Sequence, residues 1–429
     1  MVKGPQSSVP SSSPRARGKP ILAIGFACIF GTPHKLNLST SRALVDPGHN
    51  PLRTPKISDW SCIHTKFGML LPAYDASAIT AHYDTAEGAA ALRGRVASIS
   101  VTVARALVPG TPLHMSIEAL GPSVIKFGQA LANRPDLVGR AIADDLRLLQ
   151  DSCTPFALAD VQRIIREDLP PAAADEVLAV LPELPEAAAS LGQVYRLSLP
   201  SYASPVALKL LRPGARETIA MDSLLARRAA GWLQSLRWPP TASGARLLKP
   251  ALVAAVDEFF SRLFEEMDYA NERANLAKFG ALYRPGQPAA RALAATARRR
   301  RGEAGATVAA AAEIVLPQAL PGHSGGRCLA MTWVEGEPLL PRGDATLPPS
   351  SLPLVRFGID ATLSQMLEEG VMHADPHGGN LLRAPSRTLS RPQRALRALL
   401  RRPPLPPRLA YLDFGLVSEV PLQVREIAF

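Results

Sequence analysis

Near the C-terminal end, the run His-Ala-Asp-Pro-His-Gly-Gly-Asn from His373 to Asn380 sets a carboxylate and a carboxamide five positions apart. A second carboxylate, Asp413, opens an Asp-Phe-Gly turn further on. That combination fits phosphoryl transfer: one Asp orients the attacking hydroxyl, while an Asn and the Asp of the turn give oxygen ligands to Mg²⁺ on the nucleotide phosphates. Asp375, Asn380 and Asp413 take those three roles in turn. Mg²⁺ keeps several waters and prefers hard oxygen ligands, so two protein oxygens plus phosphates suffice. His373, Asp375 and His377 form an alternative set, because imidazoles on one loop can share a transition-metal ion.

Such a site needs a lysine for the phosphates and an acid to hold that lysine. Beyond Pro185 the chain reads Ala-Ala-Ala-Ser-Leu-Gly-Gln-Val-Tyr and then Val-Ala-Leu-Lys-Leu-Leu, β-like runs flanked by small or turn-forming residues. Ala207, Lys209 and Leu211 alternate to one face, which places the Lys209 ammonium where phosphates would lie. Val256 to Tyr269 reads as one helix with Val256, Phe259, Phe260, Leu263 and Met267 on one stripe. Glu266 borders that stripe and Glu265 points away from it, so Glu266 is the expected partner of Lys209. Asp268, off the stripe, is available to a metal or a second cation. The layout matches the N-lobe of a protein kinase.

Upstream, helices are expected over Ala89–Leu107, within Leu120–Leu137 where Pro122 sits at the start and Pro135 stops the helix, and over Asp136–Gln150 and Ala159–Asp168. In the second, Lys126, Gln129 and Asn133 share one face and Val124, Phe127 and Leu131 another. Taken alone, so short a polar stripe faces water.

Composition narrows the partners. Four cysteines (Cys28, Cys62, Cys153, Cys328) lie far apart with no CxxC pair, which argues against a zinc site and against a disulfide framework. The net charge of +11 sits largely in the N-terminus, in Arg298–Arg301 and in the acid-free segment Arg383–Arg408. These stretches lack aromatic stacking platforms, so they read as solvated, disordered insertions and no nucleic-acid partner is expected. Met1 to Val45 carries no Asp or Glu but many Ser, Pro, Lys and Arg, the composition of an organellar transit peptide. The apolar run Ile21–Phe30 is too short to span a bilayer.

Six motifs in order, Lys-Phe-Gly-Gln at Lys126, Ala-Ala-Ala-Ser at Ala187, Val-Ala-Leu-Lys ending at Lys209, Glu-Glu-Met-Asp-Tyr-Ala-Asn-Glu at Glu265, the His373 loop and Leu-Asp-Phe-Gly at Leu412, resemble the ABC1/UbiB/ADCK family of atypical kinases. The likeness runs from Leu120 to the C-terminus and is strongest to plant and algal plastid members. The resemblance implies an α+β, protein-kinase-like bilobal fold with an N-terminal helical KxGQ subdomain. It also implies that Lys126 and Gln129 pack over the nucleotide site, and that Ala187, Ala188, Ala189 and Ser190 replace a Gly-rich loop. Methyl groups restrict φ and hinder approach of backbone N–H groups to phosphates. The cofactors implied are ATP or ADP with Mg²⁺. The setting implied is prenylquinone or isoprenoid lipid metabolism in an organelle, the chloroplast first and the mitochondrion as alternative, with peripheral association to a membrane or lipid bodies.

On this reading Lys209, Glu266 and Asp375 are catalytic, and Asn380 and Asp413 hold metal. Residues 1–80 form a transit peptide or disordered tail, 87–180 the helical extension, 181–335 the N-lobe with an Ala/Arg-rich insertion near 285–312, and 336–429 a partial C-lobe with an Arg/Pro-rich insertion at 383–408. Gly379 stands where the family usually has Pro. The chain stops fourteen residues after Gly415, so a truncated C-lobe is expected. The competing function is a catalytically weak nucleotide- or lipid-binding regulator.

Overall fold

The computed structural model describes residues 73–108, 110–149, 153–238, 245–246, 251–284, 286–300, 313–340, 347–376, 378–401 and 405–427. The tail 1–72, with its transit-peptide reading, lies outside them, as does His377 of the alternative metal set.

Helices α1 (Ala76–Tyr83) and α2 (Ala86–Ala106) begin at Asp75 and Thr85, whose side chains accept from the first orphan N–H groups. Then come α3 (Leu113–Leu120), α4 (Pro122–Ala132), α5 (Pro135–Val138) and α6 (Arg140–Arg147). Pro122 and Pro135 both sit in first turns, where a missing N–H costs nothing, so α4 starts at Pro122 as expected and Pro135, beyond its end, opens the next short helix. The buried side of α4 is Ile125, Gly128 and Ala132, packed toward Leu146 and Leu149. Val124, Phe127 and Leu131 are only half-buried. A Cβ on Gly128 would lie 2.8 Å from Leu149 Cδ1, so glycine in the Lys-Phe-Gly-Gln run permits close helix packing. Arg95 joins this subdomain to the rest, donating to Asp222 at 2.7 and 2.9 Å and to the Leu120 carbonyl at 2.6 Å.

After α7 (Leu158–Asp168) and α8 (Pro171–Ala179) come β1 (Ala187–Ala188), β2 (Gly192–Leu197) and β3 (Val206–Leu211), the strands expected from alternation. With β7 (Cys328–Thr332) they form an antiparallel sheet in the order β1-β2-β3-β7. Leu208 and Leu210 point to one face, where they are buried with Tyr195, Val161 and Ile165. Each such side chain contributes roughly 1.5–3 kcal/mol by burial. The other face carries Leu211, Leu329 and Met331 against α9 (Ala215–Ser235) and α10 (Leu252–Glu266). A short pair, β4 (Arg237–Trp238) with β5 (Ala245–Arg246), lies between those helices in sequence.

The stretch read as one helix to Tyr269 is two helices. α10 ends at Glu266, and α11 (Tyr269–Leu282) starts at Asp268, whose carboxylate accepts from the N–H groups of Ala270 and Asn271. Asp268 is therefore a helix cap and not a cation ligand in this fold. The Ala/Arg-rich insertion is also partly ordered: α12 (Pro288–Arg300) buries Ala289, Leu293 and Ala294, while 301–312 lie outside the described residues.

A second sheet runs β6 (Ile314–Val315), β11 (Arg408–Tyr411), β10 (Leu381–Ala384) and β8 (Glu337–Pro338). α13 (Leu352–Ser364) packs Leu354, Phe357 and Ala361 with Leu409, Tyr411 and Phe414. Its last turn, Gln365–Glu369, widens to π form before β9 (Val371–His373), which pairs with β12 (Val417–Glu419). The Arg383–Arg408 segment, expected to be disordered, is the far end of the β10–β11 hairpin and contains α14 (Arg391–Leu399). α15 (Leu422–Ile427) closes the described chain. Among the described residues no helix is long and apolar enough to cross a membrane.

Candidate active site

Lys209 leaves β3 toward α11. Its register partners are Val194 on β2 and Leu329 on β7, and Val194 in turn pairs with Ala187, so Ala187, Val194, Lys209 and Leu329 form one cross-strand row. The Lys209 ammonium donates to both carboxylate oxygens of Glu272, at 2.7 and 2.9 Å, and to Asp413 Oδ2 at 3.0 Å. Tyr269 lies under it, 5.7 Å from the ring centroid.

Glu266 is thus not the partner of Lys209. The helix break at Met267–Asp268 resets the rotation on which that expectation rested, and Glu272 in the first turn of α11 takes the place. Glu266 instead forms an ion pair with Lys126 of α4. Phe127 meets Phe259 edge-on at 6.1 Å, so the neighbouring residues Lys126 and Phe127 of α4 contact α10 through an ion pair and an aromatic pair two turns apart along α10. Gly415 backs this arrangement: a Cβ there would lie 3.6 Å from Glu266 Cγ. Gln129 has a different role from Lys126. Its amide nitrogen donates to the Leu149 carbonyl at 2.8 Å, inside the helical subdomain. Asn133 is exposed.

α11 also grips the Asp-Phe-Gly turn. Asn275, three residues beyond Glu272, donates from Nδ2 to the Phe414 carbonyl at 3.0 Å, and Lys278 pairs with Glu419 of β12 at 2.8 Å. Glu272, Asn275 and Lys278 therefore meet Lys209, the turn and the strand after it from one side of a helix.

The loop at His373 is pinned to the same turn. His373 is buried, and its Nδ1 accepts from the Asp375 N–H at 3.2 Å, which leaves the proton on Nε2 for donation to the Asp413 carbonyl. Gln365 Oε1, presented by the π turn, accepts from the His373 N–H at 3.1 Å. Here His373 is a structural link and not a metal ligand. Asn380 donates from Nδ2 to the Asp375 carbonyl at 3.1 Å, and its own carbonyl accepts from the Leu412 N–H at 3.1 Å. The four-rung β10–β11 pairing, ending at Leu381 opposite Tyr411, brings Asn380 beside Asp413 despite the long excursion between them.

Electrostatics identify what the cleft accepts. Burial opposes the charge on Lys209, yet Asp413 and Glu272 hold its ammonium above the ordinary lysine range. Burial pushes the Glu272 carboxyl up to about 7 against the pull of Lys209, with repulsion from Asp413 adding to the rise. Asp413 goes the other way: burial is outweighed by Lys209 and by the Gly415 N–H, and its carboxyl stays well below the usual range. Burial likewise opposes charge on Lys126, but Glu266, with Asp375 and Asp413 behind it, raises that ammonium. Two ammonium groups, Lys126 and Lys209, thus share this cleft with the carboxylates of Glu266, Glu272, Asp375 and Asp413.

The donors fit Mg²⁺. Asp413 offers carboxylate oxygen, and Asn380, with its amide nitrogen committed, offers amide oxygen. No group of three His, Cys, Asp or Glu side chains forms a ready cage among the described residues. Mg²⁺ with phosphates and water requires none. On the opposite side, Ala187 and Ala188 lie in edge strand β1, and the Ala189 N–H is committed to the Gly192 carbonyl at 2.7 Å. Arg212 closes that turn by donating to the Ala189 and Ser190 carbonyls. Ser190 Oγ is buried without a hydrogen-bond partner, an atom that a water or a phosphate oxygen would satisfy.

Glu272 and Asn275 had no role in the sequence reading, and His373 had one only in the alternative metal set. The signal for Glu272 was present: an Asp followed by an acidic residue in the next turn marks a helix start, which makes Asp268 a boundary.

A family model described as the ABC1 atypical kinase-like domain matches residues 148–428. An aarF domain-containing protein kinase of Arabidopsis thaliana, named as chloroplastic, is 33% identical over 74% of this chain and 37% of its own length. An uncharacterised protein of Synechocystis is 35% identical over 74% of this chain and 39% of its own. The Arabidopsis protein Activity of BC1 Complex Kinase 3, also named as chloroplastic, is 31% identical over 71% and 36%. This chain therefore spans less than half the length of these relatives.

Proposed function

This chain belongs to the ABC1 atypical kinase-like family, and on that premise we propose that it binds ATP or ADP with Mg²⁺ in the cleft between Lys209 and Asp413 and acts as an atypical kinase or ATPase. The observation that carries the reading is the shared ammonium: Lys209 reaches Glu272 at 2.7 Å and Asp413 at 3.0 Å. In an occupied cleft Lys209 turns toward the α and β phosphates while Glu272 keeps it in place. Asn380 and Asp413 hold the metal, and Asp375 orients the attacking hydroxyl or water. Bound Mg²⁺ supplies neutralisation of phosphate charge.

The second reading, a nucleotide-binding regulator with weak turnover, is favoured by one feature. Lys126 lies close enough to Asp375 and Asp413 for both to raise its ammonium, so a protein cation competes with the metal for the carboxylates that turnover requires. The compartment proposed is the chloroplast, in line with the names of the plant relatives and with the cyanobacterial match. The pathway proposed from the resemblance is prenylquinone or isoprenoid lipid metabolism.

Ligand-induced stabilisation tests the nucleotide reading. A ligand that binds only the folded chain stabilises it by about 2.7 kcal/mol at a hundredfold excess over Kd. ATP or ADP should raise the melting temperature only with Mg²⁺, and Asp413→Asn should abolish the rise. An equal rise without Mg²⁺, or one that survives in Asp413→Asn, counts against the proposal.

A further inference from the structure

From Arg383 to Arg408 the chain carries eight arginines and no Asp, Glu or aromatic residue. The structure turns the middle of this segment into α14, started by a capping box in which Gln393 accepts from the Ser390 N–H at 3.0 Å. None of its residues is buried. At 100° per residue, Arg391, Arg394 and Arg397 fall on one side of the helix, and Leu396 and Leu399 on the other, with Leu400 following them at the C-cap. Those leucines are 55%, 80% and 52% exposed. Scattered exposed leucines need no explanation, but three adjacent ones on the apolar side of an arginine helix call for a partner.

The charge and the apolar face together select that partner. Nucleic acid would neutralise the arginines but leave the leucines in water, and the segment offers no ring on which a base could stack. A bilayer with anionic headgroups satisfies both sides, the leucines entering the acyl boundary while the arginines remain at the phosphate level. We propose that α14 is a membrane-docking element that lays its Leu396, Leu399 and Leu400 face into the surface of an anionic bilayer. The proposal rests on α14 and its hairpin and is independent of the nucleotide reading. It has a consequence for the cleft, because the β10–β11 hairpin that carries α14 at its far end has Asn380 and Asp413 at its near end. A docked α14 therefore anchors the two strands that hold the proposed metal ligands.

The test is flotation of the full chain with phosphatidylcholine vesicles, with and without phosphatidylglycerol, at two salt concentrations. The chain should float with the anionic vesicles, less so at high salt. Partitioning should fall about tenfold or more in Leu396→Asp/Leu399→Asp and in Arg391→Ser/Arg394→Ser/Arg397→Ser. Because α14 buries nothing, both variants should melt like the parent. A Leu399→Trp chain should gain fluorescence that brominated acyl chains quench. Three outcomes overturn the proposal: no flotation of the parent, unchanged flotation of the leucine variant, or capture by polyglutamate or duplex DNA while vesicles are ignored. The second would move the attraction to another basic stretch, such as the acid-free N-terminus, and the third would make the partner an acidic protein or nucleic acid.

Discussion

Lys209 donates to both oxygens of Glu272, which stands in the first turn of a new helix, six residues beyond the Glu266 that borders the apolar stripe of the preceding one. Each lysine of the cleft thus has its own acid, Glu272 for Lys209 and Glu266 for Lys126. The two carboxylates should respond differently to substitution. Glu272→Gln loosens Lys209 and should weaken Mg²⁺-nucleotide binding by about tenfold or more, roughly 1.4 kcal/mol. Glu266→Gln leaves Lys209 held and releases Lys126, so affinity should stay within about threefold of the parent. Titration with a fluorescent nucleotide checks the order, and the reverse ranking would return Lys209 to Glu266.

The raised Glu272 carboxyl has a signature in stability. A carboxyl with a folded pKa near 7 and an ordinary value of 4.5 binds a proton in the folded chain that the unfolded chain has lost. Its contribution is full below about pH 4.5 and declines as pH rises through about 7. Relative to Glu272→Gln, which cannot titrate, the parent should lose stability between pH 5 and 7 and level off above 8. Melting curves of both chains across that range are the measurement, and a constant difference would refute the shift.

Asn275 should act through the Asp-Phe-Gly turn. Asn275→Ala removes its bond to the Phe414 carbonyl and should cost about 1 kcal/mol of stability. Asn275→Asp sets a carboxylate against that carbonyl and should weaken Mg²⁺-dependent nucleotide binding more than the alanine change does. Binding isotherms at several Mg²⁺ concentrations separate the two. Identical isotherms for parent and Asn275→Asp would remove the tether from the account.

Gln129 and Lys126 share a helix face in sequence but not a task. Gln129→Ala breaks a bond to the Leu149 carbonyl and should lower stability by about 1 kcal/mol with nucleotide affinity unchanged. Lys126→Met removes the cation beside Asp375 and Asp413 and should tighten the metal requirement without comparable unfolding. Parallel melts and Mg²⁺ titrations distinguish them, and a loss of nucleotide affinity in Gln129→Ala would place that residue at the cleft after all.

Motif residues stood out in the sequence because their pattern is local: Lys209 alternates along a strand, and Asp375 and Asn380 lie five positions apart on one loop. The strands β1 to β3 followed from short alternating runs beyond Pro185. The partner of Lys209 could not be reached by projecting a helix through Asp268, because a cap restarts the rotation and shifts every later side chain. The Arg383–Arg408 segment misled for another reason. Its composition resembles a disordered linker, while strand pairing at its ends and a capping box inside it order the chain. The alternative metal set included His373 by spacing alone, but a ring whose nitrogens both find backbone partners has no lone pair to give.

The most direct test of the central claim is isothermal titration of ATP into the parent chain, Lys209→Met and Asp413→Asn, each with and without Mg²⁺. The account predicts saturable binding by the parent only with Mg²⁺, weakening of about tenfold or more in Lys209→Met, and loss of the Mg²⁺-dependent binding in Asp413→Asn. Binding that is equally tight in all three chains and indifferent to Mg²⁺ would contradict it and remove the nucleotide from this cleft.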